Sequence, residues 1–150
     1  MRAVIQRVSQ ASVIIDEKRV ASINDGILVL LGIEIEDTKE DAKWLANKIS
    51  ALRIFSDNDG KMNKSILEIN GEAIVVSQFT LHAKTKKGNR PSYIKAARPE
   101  QSIPLYENFK EDLSISIGKQ VQSGEFGAKM KVDLTNDGPV TIIIDTKNRE

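Results

Sequence analysis

The most constraining feature of the sequence is an unbroken apolar run, ILVLLGI, over residues Ile27–Ile33. A strand with one face in water alternates apolar and polar side chains, whereas a strand covered on both faces has no such alternation. The run follows the turn-forming pair Asp25-Gly26, which is where a strand would begin. The sequence therefore predicts a strand that is buried on both faces.

Other stretches around this run are also typical of strands, because they are short, rich in β-branched residues and bounded by turn formers. One of them alternates apolar with charged residues, as a half-solvated strand does. The predicted strands are Ala3–Val8, Ala11–Ile15, Val20–Ile23, Glu72–Leu81, Met130–Leu134 and Val140–Asp145.

Two segments have the apolar spacing of helices. Thr38 is the predicted N-cap of the first, whose apolar positions extend to Leu52. The second is predicted from about Ile103 to Ile117, with Gly118 as the stop signal. With mostly short connections, these elements predict an α+β fold with a mostly antiparallel, curved or barrel-like sheet and two main helices. No linker-like stretch interrupts the 150 residues, so we expect a single domain over residues 1–150.

The composition limits the chemistry that is available. The chain has no cysteine and a single histidine, His82, which excludes disulfides, thiol nucleophiles and zinc ribbons. A calcium loop around Asp57–Gly60 is excluded as well, because Phe55 and Ile66 would occupy its first and last ligand positions. No apolar run approaches the roughly 18 residues of a membrane span, and the start lacks a secretory signal. We expect a cytoplasmic domain without a membrane segment, a metal or another cofactor.

Charge is distributed unevenly although the net charge is +1. The stretch Ala73–Pro99 contains no Asp or Glu. Such a segment is typical of a surface that binds a polyanion, although a solvated loop whose lysines serve solubility explains the charge equally well. Its basic residues are Lys84, Lys86, Lys87, Arg90, Lys95 and Arg98.

The most polar strand end in the sequence is Ser77-Gln78-Phe79-Thr80. Polar strand ends followed by a long loop often open onto a site, but on these residues alone an ordinary strand end is the favoured interpretation. In a regular strand Ser77 and Phe79 face one side, and Gln78 and Thr80 face the other. Unless a bulge intervenes, the hydroxyls of Ser77 and Thr80 therefore do not reach one small substrate, and backbone N–H groups become better candidates for binding. His82 has no acidic neighbour in sequence, so a surface or loop position is expected for it.

The pair Gly138-Pro139 lies in a run of turn formers, Asn136–Pro139. A hairpin corner is the plain interpretation. A cis Gly-Pro bond, which presents two parallel carbonyls, is the other, because cis costs only about 0.5–1 kcal/mol before proline.

Taken together, these segments resemble the D-aminoacyl-tRNA deacylase family in order and over essentially the whole chain. Individually the motifs are modest, but SQFTL followed by NDGPVT at this separation is specific. The matching segments are MRAVIQRVSQASV at the start, DGKMNKS (Asp59–Ser65), SQFTL (Ser77–Leu81), GNRPSY (Gly88–Tyr93) and SGEFGAKMKVDLTNDGPVT (Ser123–Thr141).

The resemblance implies a cytoplasmic homodimer that hydrolyses the ester of D-aminoacyl-tRNA and of glycine mischarged on alanine tRNA. It implies a pocket lined by Ser77, Gln78, Phe79 and Thr80, of which Thr80 and Ser77 are the candidate catalytic residues. A cis Gly138-Pro139 corner of the partner subunit reaches into this pocket and excludes L-residues. Arg7 is a candidate to brace that corner.

The same resemblance implies that the 2′-hydroxyl of the terminal adenosine helps to activate water. The basic residues Lys84, Lys86, Lys87 and Arg90 then become candidate contacts for tRNA phosphates. Several alternatives stay open. They are Thr80 as a nucleophile, a non-catalytic tRNA-binding dimer, an editing domain for L-aminoacyl esters and a purely structural dimer.

Overall fold

Eight strands, two α-helices and one 3-10 helix follow one another in the computed structural model, which describes residues 1–150. The strands are β1 (Arg2–Ile15), β2 (Lys18–Ile23), β3 (Gly26–Gly32), β4 (Phe55–Ser56), β5 (Met62–Lys64), β6 (Glu72–Ser77), β7 (Gln122–Ser123) and β8 (Lys131–Asp145). The helices are α1 (Lys39–Ser50), α2 (Pro99–Ile117) and the 3-10 turn, Phe79–His82.

The long strand β1 organises the main sheet. Its first half pairs with β3 and its second half with β2, while β8 lies along its other edge over nearly the whole length. These pairs are antiparallel, whereas β3–β6 and β6–β7 are parallel. The result is a nearly closed, barrel-like mixed sheet with two main helices, which confirms the predicted fold class. The two strands predicted over residues 3–15 are one continuous strand.

The central strand β3 is buried on both faces, as the apolar run predicts. Ile27, Val29 and Leu31 belong to one hydrophobic cluster, which α1 and α2 cover with side chains such as Leu45 and Phe109. Leu28 belongs to a second cluster, formed with β2, β6 and the second half of β1. This burial anchors β3, and the end of β3 pairs in parallel with the polar end of β6.

Two of the predicted helix boundaries, the start of α1 and the end of α2, agree with the structure, whereas the start of α2 does not. Thr38 caps α1 as predicted, and it exchanges hydrogen bonds with Asp41 in a capping box. Gly118 ends α2 as predicted. The start of α2 was expected near Ile103 but lies at Pro99, because proline is well suited to the first helical turn, where its missing N–H costs nothing.

The segment Asn136–Pro139 does not form the hairpin corner that its turn formers indicate. Residues 131–145 form the single strand β8, and the register to β1 jumps from Gln6–Thr141 to Val8–Asn136. Residues 137–140 therefore bulge out opposite Arg7 alone. The side-chain amide of Asn136 closes the base of this bulge by donating to the carbonyls of Arg7 and Val140, both at 3.0 Å.

Candidate active site

A cavity of about 540 Å³ lies at the end of β6, mostly lined by apolar side chains. Ser77, Gln78 and Phe79 form one side of it, so three of the four residues of the SQFT motif meet at one place. The lining contains no Asp, Glu, His, Lys or Arg. Such a cavity can position a substrate and donate or accept hydrogen bonds, but its walls supply no carboxylate, imidazole, amine or guanidinium.

The polar strand end leaves the strand geometry sooner than the sequence predicts. The strand was expected to reach Leu81 but stops at Ser77, and the 3-10 turn begins at Phe79. The amide of Gln78 donates to the carbonyl of Leu31 on β3 at 2.8 Å, which fixes the start of the turn. The alternation of faces expected for residues 77–80 therefore does not apply beyond Ser77.

Thr80 is not part of the cavity lining, but it is tied to it through Gln78. The side-chain amide of Gln78 donates a hydrogen bond to the hydroxyl of Thr80. An amide cannot take a proton from a hydroxyl, so this contact orients Thr80 without activating it. The backbone N–H groups of Phe79 and Thr80 precede the first bond inside the turn, from Leu81 to the carbonyl of Gln78. They are therefore free of partners within the turn.

Two aromatic rings stand at the mouth of the cavity. Phe79 is 55% exposed, and its ring meets that of Tyr93 edge to face at a centroid distance of 4.9 Å. Both residues line the cavity. Because Tyr93 lies within the acid-free stretch Ala73–Pro99, it connects the cavity to the most positively charged part of the chain.

A wall segment, residues 126–132, also contributes to the cavity lining, and the sequence predicted a strand only for its last residues, within Met130–Leu134. Phe126, Met130 and Val132 face the cavity from it. Phe126 packs edge to face on Tyr106 at 5.6 Å. Burial raises the pKa of the Tyr106 phenol to about 12, and its hydroxyl donates to the carbonyl of Val75 at 2.8 Å. The sequence signal that could have pointed to this segment is the family motif SGEFGAKMKV, which contains it. The motif does not indicate how the segment folds or what it faces.

His82 is buried, with 4% of its surface exposed, so its predicted surface or loop position is wrong. It ends the 3-10 turn and packs over Gly32 of β3, and its Nε2 has no hydrogen-bond partner. The turn folds back onto the sheet where an extended strand was expected, which carries the ring inward. The absence of a carboxylate partner agrees with the sequence.

The Gly-Pro corner, Gly138-Pro139, is exposed and its peptide bond is cis. The guanidinium of Arg7 holds the bulge: Nε donates to the carbonyl of Asp137 at 3.1 Å and lies 3.2 Å from its carboxylate, and Nη1 donates to the carbonyl of Ile54 at 2.7 Å. Neither Gly138 nor Pro139 lines the cavity of the same chain. The structure thus brings Ser77–Phe79 together but leaves the corner outside.

The basic loop, residues 84–92, is closed by two backbone hydrogen bonds between Lys84 and Ser92, at 2.8 and 3.0 Å. Lys86, Lys87 and Arg90 project from it and are exposed, and no acidic side chain pairs with them. Their charges are therefore available to an external partner.

Two further observations concern cofactors and membranes. No group of three or more His, Asp or Glu side chains is arranged to hold a metal ion. Neither helix combines the length and the apolar character needed to cross a membrane.

The chain is similar to known proteins over its whole length. A family model described as D-Tyr-tRNA(Tyr) deacylase matches residues 4–145. The D-aminoacyl-tRNA deacylase of Bacteroides fragilis is 65% identical over 150 residues, covering 100% of both chains. The protein of the same name from Flavobacterium psychrophilum is 64% identical, again over 100% of both chains.

Two solved structures share the fold. One, described as c-Myc DNA Unwinding Element Binding Protein, has a TM-score of 0.90 at 41% identity and covers 97% of this chain and 98% of its own. The other, described as a probable eukaryotic D-amino acid tRNA deacylase, has a TM-score of 0.82 and covers 95% of this chain and 97% of its own. At 17% identity, the second similarity concerns the fold alone.

Proposed function

Because the chain belongs to the D-aminoacyl-tRNA deacylase family, we propose that the cavity beside the 3-10 turn binds the 3′ end of a D-aminoacyl-tRNA and hydrolyses its ester bond. The enzyme is a hydrolase, which consumes water and releases a free D-amino acid and tRNA. The observation that carries the placement of the site is that Ser77, Gln78 and Phe79 of the SQFT motif line one cavity.

The proposed chemistry needs few protein groups. Water adds to the ester carbonyl carbon, the bond from that carbon to the ribose oxygen breaks, and the ribose oxygen takes up the proton that the water gives up. We assign activation of the water to the neighbouring 2′-hydroxyl of the terminal adenosine, since no basic side chain lines the cavity. The free N–H groups of Phe79 and Thr80 stabilise the developing oxyanion, and one such donor is worth about 2.7–4 kcal/mol.

Chirality is read by excluded volume in this proposal. Two enantiomers carry identical groups, so a site separates them only by fixed geometry. The Gly-Pro corner of a partner subunit stands where the side chain of an L-residue would lie, and D side chains point outward. Glycine has no side chain to exclude, so glycine carried by alanine tRNA is a substrate as well.

Three features support a second copy of the chain as the source of the corner. The corner is exposed and lies outside the cavity of its own chain. The strand that carries it, β8, pairs only with β1 and has an open edge. The side chain of Ile143 on β8 is 68% exposed, as expected for a residue that a second subunit covers. We therefore propose a homodimer whose sites are shared across the subunits.

Hydrolysis of matched D-tyrosyl-tRNA and L-tyrosyl-tRNA by the purified protein, with a chelator present, tests the function. We expect rapid loss of the D-ester alone. Equal cleavage of both esters would leave an editing hydrolase without chiral selection. Binding of tRNA without cleavage of either ester would identify a non-catalytic tRNA-binding dimer.

The substitution Thr80→Ala separates RNA-assisted catalysis from a Thr80 nucleophile. We expect kcat to fall by less than about tenfold, because the variant loses one neutral hydrogen bond, worth about 0.5–1.5 kcal/mol. The measurement is single-turnover hydrolysis of D-tyrosyl-tRNA, with Thr80→Ser as the control that keeps the hydroxyl. A loss of about a thousandfold or more in the alanine variant, with activity kept in the serine variant, would establish the nucleophile instead.

A further inference from the structure

We propose that Arg2 is a positioning residue for hydrolysis, because its guanidinium clamps the end of the 3-10 turn to Asp145 on β8. The inference rests on the proposed function, since it concerns how the substrate-contacting residues of that site are held. Arg2 lies outside the cavity and touches no substrate in this proposal.

The 3-10 turn is pinned at both ends by residues distant in sequence. At its start, the amide of Gln78 donates to the carbonyl of Leu31 at 2.8 Å. At its end, Nη1 of Arg2 donates to the carbonyl of Leu81 at 2.8 Å. A carbonyl in the last turn of a helix has no partner inside that helix, so Arg2 supplies the hydrogen bond that the helix cannot. Phe79 and Thr80, whose amides are the proposed oxyanion donors, lie between these two hydrogen bonds.

The guanidinium is itself held in place by Asp145. Nε and Nη2 of Arg2 both donate to Oδ2 of Asp145, at 3.1 and 2.8 Å. Burial opposes ionisation of this carboxyl, but hydrogen bonds from Arg2 and from the Lys147 amide hold its pKa below the usual range. Asp145 is therefore charged at neutral pH and keeps the third nitrogen of Arg2 aimed at Leu81.

The turn also has little room to settle elsewhere. A Cβ on Gly32 of β3 would meet the carbonyl oxygen of Gln78, the Cβ of Leu81 and the ring of His82, all at 3.0 Å. The turn therefore packs directly on the β3 backbone. Arg2 and Gly32 are paired in the β1–β3 register, so the Arg2 clamp lies next to this packing contact. Loss of the clamp leaves the contact with Gly32 in place but frees the end of the turn.

The test compares Arg2→Met with Arg2→Lys in the full-length protein. Methionine keeps much of the side-chain length but donates nothing, whereas lysine donates to Leu81 or to Asp145 without spanning both as the fork does. We expect kcat for D-tyrosyl-tRNA to fall about tenfold to hundredfold in Arg2→Met, with KM nearly unchanged, because small misplacements of reacting groups are costly. Arg2→Lys should recover part of the loss. Arg19→Met, at an exposed arginine on β2, is the matched control.

Two further measurements make the outcome decisive. Asp145→Asn should lower kcat less than Arg2→Met does, and the double variant should be no worse than Arg2→Met, because both substitutions act on one clamp. Amide hydrogen exchange at residues 81–83 should be faster in Arg2→Met than in Arg19→Met. If kcat of Arg2→Met stays within about twofold of the parent protein, or falls only in proportion to the folded fraction, the clamp has no positioning role. Unchanged amide exchange would overturn it as well.

The exchange measurement also separates this inference from the proposed function. It needs no substrate, so it reports on the clamp even in a protein that hydrolyses neither tyrosyl ester. A parent protein that is inactive on both esters contradicts the proposed function, whereas an active parent with an unaffected Arg2→Met variant contradicts the clamp alone.

Discussion

Replacing Gly138 by alanine is expected to lower kcat/KM for a D-aminoacyl ester by about a hundredfold, the effect of displacing a positioning group by roughly 1 Å. A Cβ at this position would lie 2.9 Å from both Nη2 of Arg7 and Cγ2 of Val140, and 3.0 Å from the Val140 amide nitrogen. The φ angle of +127° is one that L side chains rarely adopt. The corner must therefore move away from Arg7. The measurement is single-turnover hydrolysis of D-tyrosyl-tRNA and L-tyrosyl-tRNA.

The control for the backbone conformation is Gly60→Ala. Gly60 also has a positive φ, +77°, but a Cβ there would meet nothing within 4 Å. It lies in the Asp57–Gly60 turn, away from the cavity lining. If the Gly138→Ala enzyme hydrolyses both tyrosyl esters at the parent rates, the Gly-Pro corner does not select between the enantiomers.

Mixed dimers test whether the corner serves the other subunit. Gln78→Ala impairs the cavity, and Gly138→Ala impairs the corner. A dimer containing one subunit of each kind has one site with an intact cavity and an intact partner corner. We expect such mixed dimers to be more active than the mean of the two homodimers, because one of their sites carries neither substitution. Activity equal to that mean, in dimers shown by mass to be mixed, would place the corner in the site of its own chain.

Replacing Lys86, Lys87 and Arg90 together by alanine is expected to weaken tRNA binding about thirtyfold at 0.15 M salt and to lower the salt slope of log K by about 2 to 3. These side chains are exposed on the basic loop without acidic partners, and that loop leads into Tyr93 at the cavity mouth. The loss should be similar for different tRNA sequences, because phosphate contacts carry no sequence information. Binding titrations at several salt concentrations measure both quantities.

The matched control changes the same charge elsewhere. Lys18, Arg19 and Lys43 are exposed and lie on β2 and α1. Their joint replacement by alanine should leave the affinity for tRNA within about threefold of the parent protein, since charges outside the contact act only through the screened net charge. Equal salt slopes for the two triple variants would mean that the basic loop does not contact tRNA and that its lysines serve solubility.

Much of the architecture follows from short-range patterns. The unbroken run Ile27–Ile33 is enough to predict a strand buried on both faces, and Thr38 is enough to predict the start of a helix. In each case the physical cause lies within a few residues, in side-chain alternation or in capping of free amides. The SQFT motif and the Gly-Pro pair became candidate site residues through the family resemblance, because their residue types alone fit an ordinary strand end and a turn equally well.

The failures concern positions whose geometry depends on distant segments. His82 was expected at the surface but is buried, because the 3-10 turn folds onto Gly32 about fifty residues earlier in the chain. The turn formers at residues 136–139 make a bulge and not a hairpin, since β8 continues to pair with β1 on both sides of Arg7. No local pattern distinguishes these outcomes.

The sequence by itself thus determined both α-helices, the cores of the long strands and the location of the positive charge, all of which depend on residues that are neighbours along the chain. The tertiary structure decided which of them meet. It brought the wall segment and Ser77–Phe79 to one cavity, left the Gly-Pro corner outside that cavity, and brought Arg2, Leu81 and Asp145 together. These meetings depend on strand register over more than a hundred residues, and register is fixed by the packing of the whole core rather than by any segment within it.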